Sequence, residues 1–132
     1  MAKKILVVDD EPQNVTLITS RLKSHHYQTI SASDGRSCID MAIKEMPDLI
    51  VLDVIMPGLS GFQVARELKK DERTKHIPII MLTALAQEKD LDEGLEAGAL
   101  CFISKPFNPV DLLLEVDQAL GTKEDTGGVV SD

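Results

Sequence analysis

The chain has 132 residues, enough for one domain with a single core. Its 22 Asp and Glu outnumber 14 Lys and Arg, for a net charge of -8, and Trp is absent; a chain so acidic and so poor in aromatics lacks the cationic surface and stacking platform of a direct nucleic-acid binder. With 43% apolar and 27% charged residues the composition is globular, and no apolar run is long enough to span a membrane.

Along the chain, short runs rich in Ile, Val and Leu alternate with longer amphipathic stretches. The runs are Ile5–Val8, a weaker one at Tyr27–Ala32, then Leu49–Leu52, Ile77–Leu82 and Leu100–Ile103. Continuous apolar runs of this length suit strands buried on both faces of a parallel sheet. The first is also too short for a signal-peptide core.

Between and after the runs the period becomes helical. The expected stripes are Val15, Ile18 and Leu22; Ile39, Ala42, Ile43 and Met46; Val64 and Leu68; Leu91 and Leu95; and Leu113, Val116 and Leu120. Pro12 stands where a first helical turn needs no backbone donor. The pattern predicts five β-α repeats and, with right-handed crossovers, an α/β doubly wound five-stranded parallel sheet with five helices; the order expected for it is 2-1-3-4-5. The domain is expected over residues 4–120, and 121–132 as a flexible tail or linker. Cys38 and Cys101 lie in apolar settings without CxxC spacing, which predicts buried, reduced thiols in a cytoplasmic protein.

Open parallel sheets bind ligands beyond the carboxyl ends of their strands, where chain order switches direction. The first run ends in Asp9-Asp10-Glu11, the third in Asp53, the fourth in Thr83-Ala84 and the fifth in Ser104-Lys105-Pro106. Two carboxylates ~4 Å apart repel by roughly 1–4 kcal/mol at effective dielectrics of 80 to 20. Three in one pocket call for a cation or a retained proton, and a few acidic oxygens with room for water suit Mg²⁺. A divalent metal, a lysine and a hydroxyl around one carboxylate make a constellation for phosphoryl transfer, with Asp53 as the nucleophile. Taken singly, each acid is better read as a turn former or helix cap. Four strand ends converging on one edge, each with compatible chemistry, reverse that.

The motifs Ile5-Leu6-Val7-Val8-Asp9-Asp10-Glu11-Pro12, Asp48 through Gly58, Met81-Leu82-Thr83-Ala84 and Phe102-Ile103-Ser104-Lys105-Pro106-Phe107 occur in this order. With them the chain resembles the receiver domain of two-component response regulators, which have a flavodoxin-like fold. The resemblance implies that Asp53 accepts a phosphoryl group from a sensor histidine kinase or histidine phosphotransfer protein. It implies Mg²⁺, with Mn²⁺ able to substitute, held by Asp10, by Asp9 through a water, by Asp53 and by the backbone carbonyl of Ile55. Lys105 would pair with Asp53 at rest and with a phosphoryl oxygen afterwards, and Thr83 would bond another such oxygen. Phe102 would be the switch aromatic; Pro57, Gly58 and Pro106 would shape the loops, Pro106 after a cis peptide bond. The output surface would be the helix 4–strand 5–helix 5 side, about residues 85–120, acting on a downstream effector or output domain and open to homodimerisation. Such a protein catalyses its own phosphorylation and slow dephosphorylation without being a turnover enzyme, and needs neither nucleic acid nor membrane.

Some positions depart from the family or stand out. Ile55 and Leu85, each two residues beyond a site residue, are apolar where polar side chains can orient an attacking water, which predicts a long-lived aspartyl phosphate. Ala84 leaves room for a partner's histidine. Leu100-Cys101 replaces a commonly acidic pair, an exchange best read as packing. His25 and His26 close the first helix, where a cation suits the dipole. Three alternatives compete with this reading. A haloacid dehalogenase-type phosphatase needs an Asp where Ile55 stands, and a nucleotide or flavin binder needs a glycine-rich loop after the first strand. A non-phosphorylated scaffold receiver, acting through protein–protein contacts, usually lacks one of the acids, the Lys or the Thr, and none is missing.

Overall fold

In the first strand, β1 (Lys4–Val8), alternate side chains feed two different cores: Leu6 and Val8 point to one side of the sheet, Ile5 and Val7 to the other. The computed structural model describes residues 2–84 and 88–121, the side chains of Glu88 and Lys89 excepted. Leu85 and the tail beyond Gly121 lie outside those residues. The remaining strands are β2 (Gln28–Ala32), β3 (Leu49–Asp53), β4 (Ile79–Thr83) and β5 (Cys101–Ser104), all parallel, in the order β2-β1-β3-β4-β5. This is the predicted doubly wound sheet.

The helices α1 (Pro12–Ser24), α2 (Gly35–Glu45), α3 (Gly61–Lys70), α4 (Glu88–Ala97) and α5 (Pro109–Leu120) alternate with the strands. One core joins Leu6, Ile50, Leu52 and Met81 to α2, α3 and α4 through Ala42, Val64, Leu68 and Ala97. The other joins Ile5, Val51, Ile80 and Leu82 to α1 and α5 through Ile18, Leu22, Leu112 and Val116. All five residues of β3 are buried, as a central parallel strand requires. Burying each such Leu or Ile contributes about 1.5–3 kcal/mol, and truncating Ile50 to Ala would cost about 2–5 kcal/mol.

Helix ends follow local chemistry. Pro12 opens α1. Asp34 caps α2 by accepting from Ser37 N, and Asn108 caps α5 by accepting from Val110 N. At α3, Ser60 and Gln63 form a reciprocal capping box. Among the described residues no helix is long and apolar enough to cross a membrane.

Several expected details differ. β4 begins at Ile79 because Pro78 has no N–H for the ladder, although its carbonyl accepts from Ile50 N at 3.0 Å and Ile77 stays buried. Met46 ends α2 in the left-handed region at φ 48°, and its side chain is exposed. Leu95 is also exposed, because the ring of Phe102 fills the inner side of α4 and leaves room only for Gly94 and Ala97. In α5 the core pair is Leu112 and Val116, with Leu113 and Leu120 only partly buried. Cys38 is buried as expected, but Cys101, on the edge strand, is half-exposed and its Sγ lies 3.4 Å from Glu115 Oε1. His25 meets Asp117 of α5 at 3.1 Å, and Tyr27 donates to the same carboxylate.

Candidate functional site

The order β2-β1-β3 places the switch in chain direction at β1, so α1 leaves toward one face while α2 and α3 cover the other. The crevice this creates lies beyond the carboxyl ends of β1 and β3. Val8 pairs with Leu52, so Asp9 and Asp53 emerge side by side. Thr83 ends β4 opposite Ser104, and Lys105 follows at once. Two backbone bonds tie these ends together: Val54 N donates to Leu82 O at 3.0 Å, and Lys105 N to Thr83 O at 2.8 Å.

Asp9, Asp53 and Thr83 are buried, at 1%, 3% and 2% exposure, whereas Asp10 is exposed. Ligand oxygens of Asp9, Asp10 and Asp53 all lie within 4.8 Å of one another. Lys105 Nζ stands 3.1 Å from Asp9 Oδ2 and 3.1 Å from Asp53 Oδ2. The other oxygen of each acid accepts a backbone N–H two residues on, from Glu11 to Asp9 at 3.0 Å and from Ile55 to Asp53 at 3.3 Å. Neither Asp9 nor Asp10 caps α1: that position is Glu11, whose side chain instead accepts from Asn14 Nδ2.

One ammonium among three carboxylates leaves the pocket with excess negative charge. Burial and the charge of Asp9 push the Asp53 carboxyl up to about 6, against the hydrogen bond and charge of Lys105. At Lys105, burial disfavours the ammonium, but its bonds to Asp9 and Asp53 outweigh that and hold it above its ordinary value. A hard divalent cation would discharge the excess, and three convergent carboxylates, one of them open to solvent, fit Mg²⁺. The structure thus brings Asp9, Asp10, Asp53 and Lys105 together, with Thr83 at the adjoining strand end. Ile55 is 53% exposed at the rim. Pro57 and Gly58 lie in the loop after β3, with Gly58 at φ 78° where a left-handed residue is needed. The Lys105–Pro106 peptide is cis. Phe102 is half-buried, with its ring against Gly94 of α4.

Two glycines not singled out for a role shape the site. An ideal Cβ on Gly61 would stand 2.5 Å from Asp53 O and 2.7 Å from Val54 Cα, and Gly61 N donates to Val54 O at 2.8 Å. The start of α3 is therefore pressed against the backbone that carries Asp53. A Cβ on Gly94 would fall 2.0 Å from Phe102 Cζ. The Ser60–Gln63 capping signature was the available hint for the first; the second has no local signal.

A parallel sheet of this order, with an acid cluster and a lysine at its switch point, belongs to the doubly wound class of α/β domains. Residues 5–117 match the response regulator receiver domain family, and the chain belongs to it. It is 45% identical over 88% of its length to the response regulator PleD of Caulobacter vibrioides, of which it spans 26%. It is 38% identical over 89% of its length to protein PilH of Pseudomonas aeruginosa, of which it spans 97%. Among solved structures, the receiver domain of the sensor histidine kinase PA1611 of Pseudomonas aeruginosa, with a magnesium ion coordinated in its active-site cleft, superposes with a TM-score of 0.84. That match has 32% identity and covers 92% of this chain and 99% of the other. The chain is a receiver domain of the two-component phosphorelay type.

Proposed function

We propose that this chain accepts a phosphoryl group on Asp53 from a phosphohistidine of a kinase or phosphotransfer protein. The carrying observation is the buried carboxylate of Asp53, 3.1 Å from Lys105 and within 4.8 Å of two further acids. A carboxylate oxygen of Asp53 attacks phosphorus, the phosphorus–nitrogen bond breaks, and the histidine leaves with the electron pair and takes up a proton. Asp9, Asp10, Asp53 and the Ile55 carbonyl would hold Mg²⁺, which would neutralise charge on the phosphoryl oxygens. Lys105 would move from Asp53 to a phosphoryl oxygen while keeping its contact with Asp9, and the Thr83 hydroxyl would bond a second. Exposed Ala84 presents no bulk against an incoming imidazole.

The phosphoryl group adds about 1.5–2 negative charges and strong acceptors. Lys105 N is bonded to Thr83 O, so a pull on either end is shared between β4 and β5. That favours one arrangement of the two loops and of Phe102, and shifts the α4–β5–α5 face toward its active form. No member of the acid, lysine and threonine set is replaced, so nothing favours a scaffold that never carries phosphate. Titration of the ¹⁵N-labelled chain with Mg²⁺ and then beryllofluoride tests the reading. Shifts at Asp9, Asp10 and Asp53 followed by shifts at Thr83 and Phe102 are expected; a spectrum unchanged by both reagents would contradict it.

A further inference from the structure

The negative charge of this chain is not spread evenly. Residues 1–87 hold eleven acids and eleven bases, whereas residues 88–121, which build α4, β5 and α5, hold eight acids and two bases, a net of -6 against -8 for the whole chain. One of those two bases, Lys105, is committed to Asp9 and Asp53. Among the described residues, neither Asp111 nor Glu115 has an ion-pair partner; Glu115 meets only the Cys101 thiol.

The same side of the molecule is apolar and open. β5 is the last strand of the sheet, so its outer edge is unpaired among the described residues. A groove of about 480 Å³ runs between that strand and α5, lined by Phe102, Phe107 and Leu114 together with Asp111 and Glu115. Leu114 is 45% exposed there. Val110, one helical turn before Leu114 on α5, is exposed beyond the groove.

We propose that this groove binds a cationic amphipathic helix from a partner protein. Phe102, Phe107 and Leu114 take its apolar stripe, and Asp111 and Glu115 take lysines or arginines beside that stripe. The inference rests on the reading of this face as the output surface and names the chemistry of what the output touches. A second copy of the chain is disfavoured as occupant, because an isologous pairing sets the acidic groove, with Asp111 and Glu115, against its own copy. An anionic lipid surface is disfavoured for the same reason. Strand addition is disfavoured because β5 offers only four residues before Lys105–Pro106.

The test titrates the full ¹⁵N-labelled chain with a synthetic peptide of repeated Leu-Lys-Lys-Leu-Leu-Lys-Leu heptads, and with its Glu-for-Lys counterpart, at low and high salt, with and without beryllofluoride. The cationic peptide should shift amides around Phe102, Asp111 and Leu114, and the acidic one should not bind. Affinity should fall ~tenfold or more in Asp111→Lys/Glu115→Lys and at high salt. It should also fall several-fold in Leu114→Ala, which keeps every charge and so separates a groove from general attraction to an acidic protein. Shifts centred on Asp9 and Asp10, or Leu114→Ala binding like the wild type, would overturn the proposal. So would sedimentation of the free chain as a dimer that Asp111→Lys/Glu115→Lys dissociates. Binding at the groove that ignores beryllofluoride would leave the docking chemistry standing and count against the phosphorylation switch instead.

Discussion

Asp9 and Asp53 are held alike: one carboxylate oxygen of each lies 3.1 Å from Lys105 Nζ and the other accepts from the backbone N–H two residues further on. The two acids are therefore one electrostatic unit sharing a single cation. The unit is undercompensated, and the first prediction follows from that.

In the folded chain the Asp53 carboxyl is raised from its ordinary 3.8 to about 6, first by burial and then by Asp9. Between those values the folded state binds more protons than the unfolded, so stability falls as pH rises through the window and stays lower above it. Without metal at neutral pH, Asp53→Asn should thus be more stable than the wild type, by on the order of 1–3 kcal/mol. The gap should close toward pH 4 and shrink or reverse in saturating Mg²⁺. Thermal denaturation across pH in EDTA and in Mg²⁺ measures it; a mutant less stable than the wild type in EDTA at neutral pH would refute the charge argument.

Gly61 faces an unyielding wall. A methyl there meets the carbonyl of Asp53 at 2.5 Å and Val54 Cα at 2.7 Å, both backbone. Gly61→Ala should cost about 1–3 kcal/mol despite its better helix propensity. It should also weaken Mg²⁺ binding, because relief comes only from moving the segment that carries Asp53. Chemical denaturation paired with a Mg²⁺ titration reads both effects.

Gly94 presents the opposite case, since what its Cβ would meet is the far end of the Phe102 ring, at 2.0 Å. A ring can swing where backbone cannot. Gly94→Ala should change stability by less than about 1 kcal/mol, with the helix gain offsetting lost packing. It should displace Phe102 in the unphosphorylated chain, visible in the ring's NMR shifts. An unmoved ring would show that the packing of α4 against Phe102 is looser than its geometry.

Ile55, exposed at the rim two residues past Asp53, offers a hydrolytic water no hydrogen bond. The aspartyl phosphate of the wild type should outlast that of Ile55→Asn/Leu85→Glu by about tenfold or more, a modest share of what a positioned general base contributes. Decay of the phosphorylated chain after removal of the phosphodonor gives both half-lives, and equal values would discard the idea.

The central strands were readable because a parallel sheet covered on both faces writes them as unbroken apolar runs, whereas the edge strand β2, Gln28–Ala32, is half polar and left a weaker signal. The acids and the lysine were readable because such a sheet delivers its ligands at the ends of those runs. Helix faces were less legible. Leu95 fits a helical stripe but is exposed, since the space beneath α4 is taken by Phe102 from a strand later in the chain. Cys101 reads as core but sits on the sheet edge. The sharing of Lys105 between two acids depends on a pairing distance across 96 positions, which no local pattern encodes.

The most direct test of the account is intact mass after incubation with acetyl phosphate and Mg²⁺, for the wild type and Asp53→Asn. The account predicts a single phosphoryl adduct on the wild type that needs Mg²⁺, is lost in alkali and is absent from the mutant. An adduct of equal yield on Asp53→Asn, or one formed equally well in EDTA, would contradict it.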